Sequence, residues 1–513
     1  MISEARYARE ALLLHYFFGV EQLALRGTHR LGRLWDACAQ AGMDRTPSLG
    51  GNLSLPTDLD ASLGGRSLCQ RTDATATRQA TLYSLNGVVG LTIMLAADEG
   101  TGRTGAQSAA RLRALAQDWD EAYARAAATA GHGTDDDRTV IGSVRVHRSL
   151  TLPGGPTPVD PAAVGEELRR ELAPQTQLSR PVNLTGQLVL WEFTQRGDPF
   201  SADRELLATG PATDEQEGLL DDWTWTTVDD SLVPLTRYLA NATIVRNQYR
   251  VRLAHAASIA SHLRRLRCQG EELTREWREV LVGHPASTRI GRRDLARCES
   301  IAVRARRLLA EERLANAATG DIRLMQRNLE IAADGMKVLG TGTDGTPKTV
   351  GRDNECHSNL AQILDDDVTH SEIAREQVAE TARIASETAT QHLQRHQQYL
   401  ALIQTAIIGA LLMTLTAIQA LAYKLPIPAG LHAPLIALLG SLGLGLPLLV
   451  VRRWRGGTGG RIGSILEIAS LAATGAAAGW LVGRALGHTS LLVLSGVLLL
   501  GVAGMWLTRR SSP

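Results

Sequence analysis

Five cysteines, Cys38, Cys69, Cys268, Cys298 and Cys356, are the most reactive side chains in this 513-residue sequence. A thiolate becomes a nucleophile when a histidine base stands beside it, and any fold could bring His147 toward one of them. The local signals of such chemistry are missing, because neither a Q-A-C-x-G nor a G-x-S-x-G pattern occurs. An odd cysteine total without C-x-x-C spacing reads as reduced thiols. His357 follows Cys356 directly but has no second ligand pair at zinc spacing, and H-E-x-x-H is absent. The acid runs Asp135 to Asp137 and Asp365 to Asp367 read as solvated carboxylates. Lys348, in "GTGTDGTPKTV", follows a proline where a phosphate-binding loop needs a glycine. These residues predict no catalytic group, no metal ligand and no cofactor, hence a non-enzymatic protein.

The segment "LDDWTWTTVDDSLVPLTRYLANA", residues 220–242, is the most distinctive remaining stretch. Read as a strand, it puts Trp223 and Trp225 on one side, an apolar plate flanked by acids. Pro234 is a normal first-turn residue of a helix, and Arg237 and Tyr238 follow within its opening turns, with Tyr238 and Ala242 on one face. Trp223, Trp225, Pro234, Arg237 and Tyr238 therefore form the candidate interaction and packing set. The expected role is a joint that docks an α+β domain onto a helical region.

The elements on either side fit that expectation. "LLLHYFFGV", "LYSLNGVVGLTIMLA", "TVIGSVRVHRSLTL" and "VNLTGQLVLWEFT" are short, apolar and rich in β-branched or aromatic residues, as strands are. "GTHRLGRLWDACAQAGM" and "SAARLRALAQDWDEAYARAAATA" between them have helical periodicity. Residues 1–233 thus read as an α+β domain facing the cytoplasm and 234–339 as a helical region. Residues 340–399 read as a Gly/Pro/Asp linker followed by a long stalk helix whose apolar positions are sparse and hold no strict heptad, a solvated or loosely paired helix rather than a tight coiled coil.

From residue 400 the composition changes. "LALIQTAIIGALLMTLTAIQALAY", 400–423, is 24 residues without a charge, long enough for a bilayer core of roughly 30 Å. With runs at 434–451, at "ILEIASLAATGAAAGWLVGRAL" and at "GHTSLLVLSGVLLLGVAGMWLT", it predicts a C-terminal α-helical transmembrane bundle of about four spans over 400–513. Gly475, Gly479 and Gly483 recur at intervals of four, the spacing that lets helix backbones approach closely. Arg452, Arg453, Arg455 and Arg461, with Arg509 and Arg510, place both termini in the cytoplasm by the positive-inside rule. The expectation is a multi-pass protein of the inner membrane, in contact with lipid.

The net charge of +1 supplies no overall field for nucleic acid, so no nucleic-acid partner is expected. Of the 54 basic residues only Lys337, Lys348 and Lys424 are lysines.

The stretches "RLWDACAQAGM", "VVGLTIMLA", "LAQDWDEAYA", "GQLVLWE" and above all "LDDWTWTTVDDSLVPLTRYLANATIVRNQYRVR" resemble the caspase and TPR-repeat associated (CATRA) proteins of bacterial conflict systems, over roughly residues 10 to 390. The resemblance implies a non-enzymatic sensor, adaptor or membrane effector of antiphage defence, acting with a caspase-like protease and TPR-containing partners. It carries no catalytic motif. The layout of α+β domain, stalk and C-terminal spans also admits an ion channel or transporter resembling the CorA magnesium channels, though the Gly-Met-Asn signature of that family is missing. A homo-oligomer is compatible with either reading.

Overall fold

The computed structural model describes residues 5–486 except 48–52, 57–58, 60–64, 98–101, 130–138, 153–159, 185–186, 195–197, 199, 226–231, 284–291, 342–346, 423–427 and 455–460. The strands are β1 (Arg6–Gly19), β2 (Arg66–Thr72), β3 (Arg78–Leu85), β4 (Val88–Ala96), β5 (Val140–Leu152), β6 (Gln177–Leu178), β7 (Val182–Asn183), β8 (Val189–Thr194) and β9 (Asp203–Pro211). The helices are α1 (Val20–Arg26), α2 (His29–Gln40), α3 (Gly105–Thr129), α4 (Pro161–Leu172), α5 (Asp214–Thr224), α6 (Pro234–Gly283), α7 (Arg292–Met336), α8 (Asp353–Ala422), α9 (His432–Trp454) and α10 (Arg461–Leu486). Residues 1–260 with 318–371 make one compact unit, and 261–317 with 372–513 make a second.

In the first unit the nine described strands form one sheet, ordered β2-β3-β4-β1-β5-β9-β8-β6, with β7 on β8. All pairings are antiparallel except β5 with β9. The central strand β1 explains why its run is continuously apolar: the sheet is covered on both faces. Leu12, Leu14 and Phe18 pack on one face with Leu31, Leu34 and Trp35 of α2 and Leu115 and Trp119 of α3. Leu13 and Phe17, one residue out of phase, pack on the other with Leu235, Tyr238 and Leu239 of α6, Leu329 and Met336 of α7 and Leu360 and Leu364 of α8. The period of two in the strand thus assigns each residue to a helical layer.

The indole N–H groups of Trp119 and Trp35 find partners. Trp119 Nε1 donates to Tyr16 Oη at 2.9 Å, and Trp35 Nε1 to the Leu53 carbonyl at 2.8 Å. The Asn86–Gly87 turn joins β3 to β4 with positive φ at both residues, as a two-residue hairpin requires. Asn86 Nδ2 then donates to Asn241 Oδ1 on α6 at 2.9 Å.

In the second unit, α6, α7 and α8 share an alanine-rich seam of Leu266, Leu273, Cys298, Ile301, Ala302, Ala305, Leu308, Val378, Ala382, Ala385 and Ala389. Val378, Ala382, Ala385 and Ala389 are spaced by four, three and four, so α8 does present a regular seam, made of residues too small to stand out as apolar landmarks. Arg375 Nε donates to Glu312 Oε1 at 2.6 Å across α7 and α8. Helices α9 and α10 pack on each other, and Gly475, Gly479 and Gly483 are buried along α10.

The expected transmembrane bundle is corrected here. A crossing needs about 20 residues of unbroken apolar helix, and among the described residues no helix is long and apolar enough to cross a membrane. The spans proposed in α8, α9 and α10 are withdrawn, the fourth at 487–508 lies outside the described residues, and the multi-pass inner-membrane placement with its charge-based orientation loses its premise. The glycine interval of four describes helix packing, which requires no lipid. The CorA-like channel reading falls with the spans.

A sheet filled on both faces should be intolerant of added volume where an aromatic ring lies across a glycine. Tyr83 stands opposite Gly90, and a Cβ on Gly90 would meet Tyr83 Cζ at 2.1 Å. Gly90→Val is expected to lower unfolding free energy by about 1–3 kcal/mol, read as a lower urea midpoint with unchanged slope.

Candidate functional site

Within the first unit, where α6 and α8 meet the β8–β9 end of the sheet, four formal charges are buried together. Glu192 lies near the end of β8 and Arg204 near the start of β9. Trp191 and Phe193 point toward α4 with Val164 and Leu168, so Glu192 between them points to the opposite face. Register pairs Glu192 with Leu206, which makes Arg204 its diagonal neighbour, within reach of a long side chain. Their contact is bidentate: Arg204 Nε donates to Glu192 Oε1 at 2.9 Å and Nη2 to Oε2 at 3.1 Å.

The other two charges come from helices. Arg246 follows Tyr238 by eight residues on α6, two turns on the same face. Asp353 is the first residue of α8, where the helix dipole favours an anion. Arg246 Nε donates to Asp353 Oδ1 at 2.7 Å and Nη2 to Glu192 Oε2 at 3.1 Å, while Arg204 Nη2 donates to Asp353 Oδ2 at 3.1 Å. Tyr238 Oη donates to Asp353 Oδ2 at 2.5 Å and accepts the Val350 N–H at 2.7 Å. Side-chain exposures of the four charged residues run from 1% to 8%, so each must be neutralised by the others rather than by water.

Electrostatics follow from that closure. Burial would raise the Asp353 carboxyl, but Arg204, Arg246 and the Tyr238 hydroxyl outweigh it and hold Asp353 below the usual carboxylate range. Burial and the nearby Asp353 charge raise the Tyr238 phenol well above its ordinary value, so it stays a donor. Arg204 is raised despite its burial, because Asp353 and Glu192 hold its charge. Gly351 makes the close approach possible: its φ is +61, and a Cβ there would meet Glu192 Oε2 at 1.6 Å.

Of the sequence candidates, Tyr238 is part of this cluster. Pro234 opens α6, and Arg237 is exposed beside it, its carbonyl accepting Asn241 Nδ2 at 2.7 Å. Trp223 lies in helix α5 rather than in a strand, half-buried against the core, and Trp225 is the C-cap of α5, its Nε1 donating to Gln79 Oε1 at 3.0 Å. Arg148 of β5 fastens α5 through Asp221 at 2.5 Å. Glu192, Arg204, Arg246, Gly351 and Asp353 were not singled out by sequence reading. The signal for Glu192 was present in "LVLWEFT", an acid inside an otherwise apolar strand. Nothing local distinguishes Arg246 or Asp353 from the many exposed charges around them.

The remaining titratable candidates are far from activated. Burial pushes the Cys38 thiol far up, Cys356 up to about 12 and Cys69 up to about 11, which keeps them as thiols. Burial drives His15 down to about 3, and burial with the nearby Arg145 charge drives His147 down to about 4, so both rings are neutral in the core. Among the described residues no three His, Cys, Asp or Glu side chains converge as a metal site.

Removing one member of the cluster leaves a stranded charge. Asp353→Asn is expected to destabilise the folded chain at neutral pH by about 3–5 kcal/mol, and Arg246→Met combined with Asp353→Asn should cost less than the sum of the single changes. Because the folded Asp353 carboxyl is depressed, its contribution is complete above the unfolded value of about 3.9 and is lost as pH falls through the lower folded value. Urea unfolding followed by tryptophan fluorescence between pH 7 and pH 3 should therefore show the gap between wild type and Asp353→Asn closing at the acid end.

Residues 11–228 match the family model of the caspase and TPR repeat-associated N-terminal domain, and residues 233–378 that of the caspase and TPR repeat-associated C-terminal domain. Glu192 and Arg204 fall in the first match and Tyr238, Arg246 and Asp353 in the second, so the buried cluster joins the two matched domains. No curated protein and no solved structure matches the chain.

Proposed function

The chain belongs to the caspase and TPR repeat-associated (CATRA) family, and from that premise we propose that it is a non-enzymatic adaptor or sensor that engages a caspase-like protease. Its CATRA domains link it to caspase- and TPR-associated conflict systems. The observation that carries the adaptor reading is the charge cluster joining the two CATRA domains. Arg204 and Glu192 of one and Arg246 and Asp353 of the other are hydrogen-bonded in one closed network. Such a network fixes the relative placement of two domains at the cost of buried charge, a specificity device rather than a reactive one. A fixed two-domain body presents a composite surface to a partner, and pre-organisation of this kind lowers the entropy lost on association.

The thiols and imidazoles support a role without chemistry. A cysteine nucleophile needs a lowered pKa and a base at hand, whereas Cys38, Cys69 and Cys356 are raised and His15 and His147 are held neutral by burial. Under this reading the output of the system resides in the protease and the input in this chain or a TPR-containing partner.

Two measurements test the proposal together. The full chain, mixed with the caspase-like protease of its own system, should co-elute with it on size exclusion. A variant with all five cysteines changed to alanine should keep both that complex and protection of cells against phage. No complex at micromolar concentration would remove the adaptor reading. Loss of protection with folding and complex formation intact would remove the non-enzymatic one.

A further inference from the structure

Formal charge is divided unevenly between the two compact units. Residues 1–260 with 318–371 hold thirty basic and forty acidic side chains, whereas 261–317 with 372–513 hold twenty-four basic and thirteen acidic ones. A chain of net charge +1 is thus an acidic unit joined to a basic one.

In the second unit one helix face is both basic and uncovered. Cys298, Ile301, Ala305 and Leu308 turn one side of α7 into the alanine-rich seam. Val303, Arg307, Ala310 and Leu314, spaced by four, three and four, form a stripe on the opposite side, with Arg306 and Arg313 along its edge, and all six are exposed. Val303 is 47% and Leu314 69% exposed. Arg304 is held by Glu272 and Glu276 of α6, and Glu312 by Arg375 of α8, so those charges are matched within the unit. Against Arg297, Arg306, Arg307 and Arg313 the stretch 297–314 then leaves only Glu299 and Glu311. Among the described residues none of Arg306, Arg307 and Arg313 has an ion pair. The neighbouring undescribed residues 284–291 contain no acid, and Asp294 stands twelve residues ahead of Arg306, more than three turns along the helix.

An aliphatic side chain left in water gains by being covered, and an arginine fork by meeting a carboxylate; a protein surface supplies both together and a nucleic acid does not. The chain itself carries the complementary charge, because acids outnumber bases in its first unit. We propose that the 303–314 face of α7 docks on the acidic first unit of a second copy of this chain, a head-to-tail contact between unlike surfaces. The arginines steer the approach and meet carboxylates, and the contact covers Val303 and Leu314. Two copies of the basic face repel each other, so the contact is heterologous, and each bound chain keeps a surface free for a further copy. The inference does not depend on the adaptor reading, since self-association is measured on this chain alone.

Analytical ultracentrifugation of the full chain tests it. At about 50 mM salt the sedimentation coefficient is expected to rise with protein concentration, and at about 500 mM, where screening is several angstroms deep, association should weaken at least about tenfold. The triple variant Arg306→Glu, Arg307→Glu, Arg313→Glu should stay monomeric at low salt with the wild-type urea midpoint. Added to wild type, it should shorten the assemblies, because its unaltered acidic unit still caps a basic face. If the triple reversal lowers the midpoint, Arg306→Gln with Arg313→Gln takes its place, with association expected to be at least about tenfold weaker than in wild type. A wild-type chain that stays monomeric up to about 100 µM at low salt, or association that the variants leave unchanged, would overturn the proposal. Assemblies that keep their full length when the variant is added would overturn the head-to-tail arrangement. Arginine-dependent sedimentation with phosphatidylglycerol vesicles, by a chain monomeric in their absence, would assign the face to lipid instead.

Discussion

Two arginines and two carboxylates without access to water can remain charged only if they stay together. Arg204, Arg246, Glu192 and Asp353 meet that condition through alternating contacts of 2.7 to 3.1 Å, with Tyr238 supplying one further donor. The consequence is geometric. The ends of β8 and β9, the second and fourth turns of α6 and the first turn of α8 cannot move apart without exposing a charge to apolar surroundings, where its solvation is lost. Gly351 belongs to the same constraint, because only a residue without a Cβ lets the loop before α8 pass over Glu192.

The sheet makes a second, apolar demand in the same place. Leu13 and Phe17 of β1 and Leu206 and Ala208 of β9 are covered by Leu235, Tyr238 and Leu239 of α6 and by Leu360 and Leu364 of α8. One CATRA domain thus supplies the layer that covers one face of the other's sheet. Burying large aliphatic side chains stabilises by roughly 1.5–3 kcal/mol each, so this shared core provides the affinity between the domains. The charge cluster adds directional contacts to this packing, since sliding one helix by a turn would separate Arg246 from Asp353.

Much of the sheet was legible because strand signals are local. The apolar, β-branched-rich runs at β1, at β3–β4, at β5 and at β8 are set by neighbours a few residues apart, although the Asn86–Gly87 turn that splits the second run into two strands went unread. Strand β9 was not legible: "DRELLATGP" opens with three charges, and only its position between β5 and β8 makes it a central strand. The tryptophan block shows the opposite error. Two tryptophans two apart suggest a strand, but Thr213 caps a helix with acids in its first turn, and those capping residues lie just upstream of the stretch that drew notice. The uncharged runs after residue 400 misled in a related way, because the apolar character of a segment does not say what covers it, and small residues such as Gly475 and Gly479 pack helix on helix in any solvent.

By itself the sequence determined the mixed strand-and-helix character of the N-terminal part, the long helices that follow it and the membership of a family. Those properties depend on composition and short-range spacing, which a linear chain displays directly. Only the tertiary structure decided which of the many arginines and acids matter, because Glu192 and Asp353 are 161 residues apart. Pairing across such a separation is imposed by strand register and helix packing, and burial rather than residue type turns an ordinary charge into one that must have a partner.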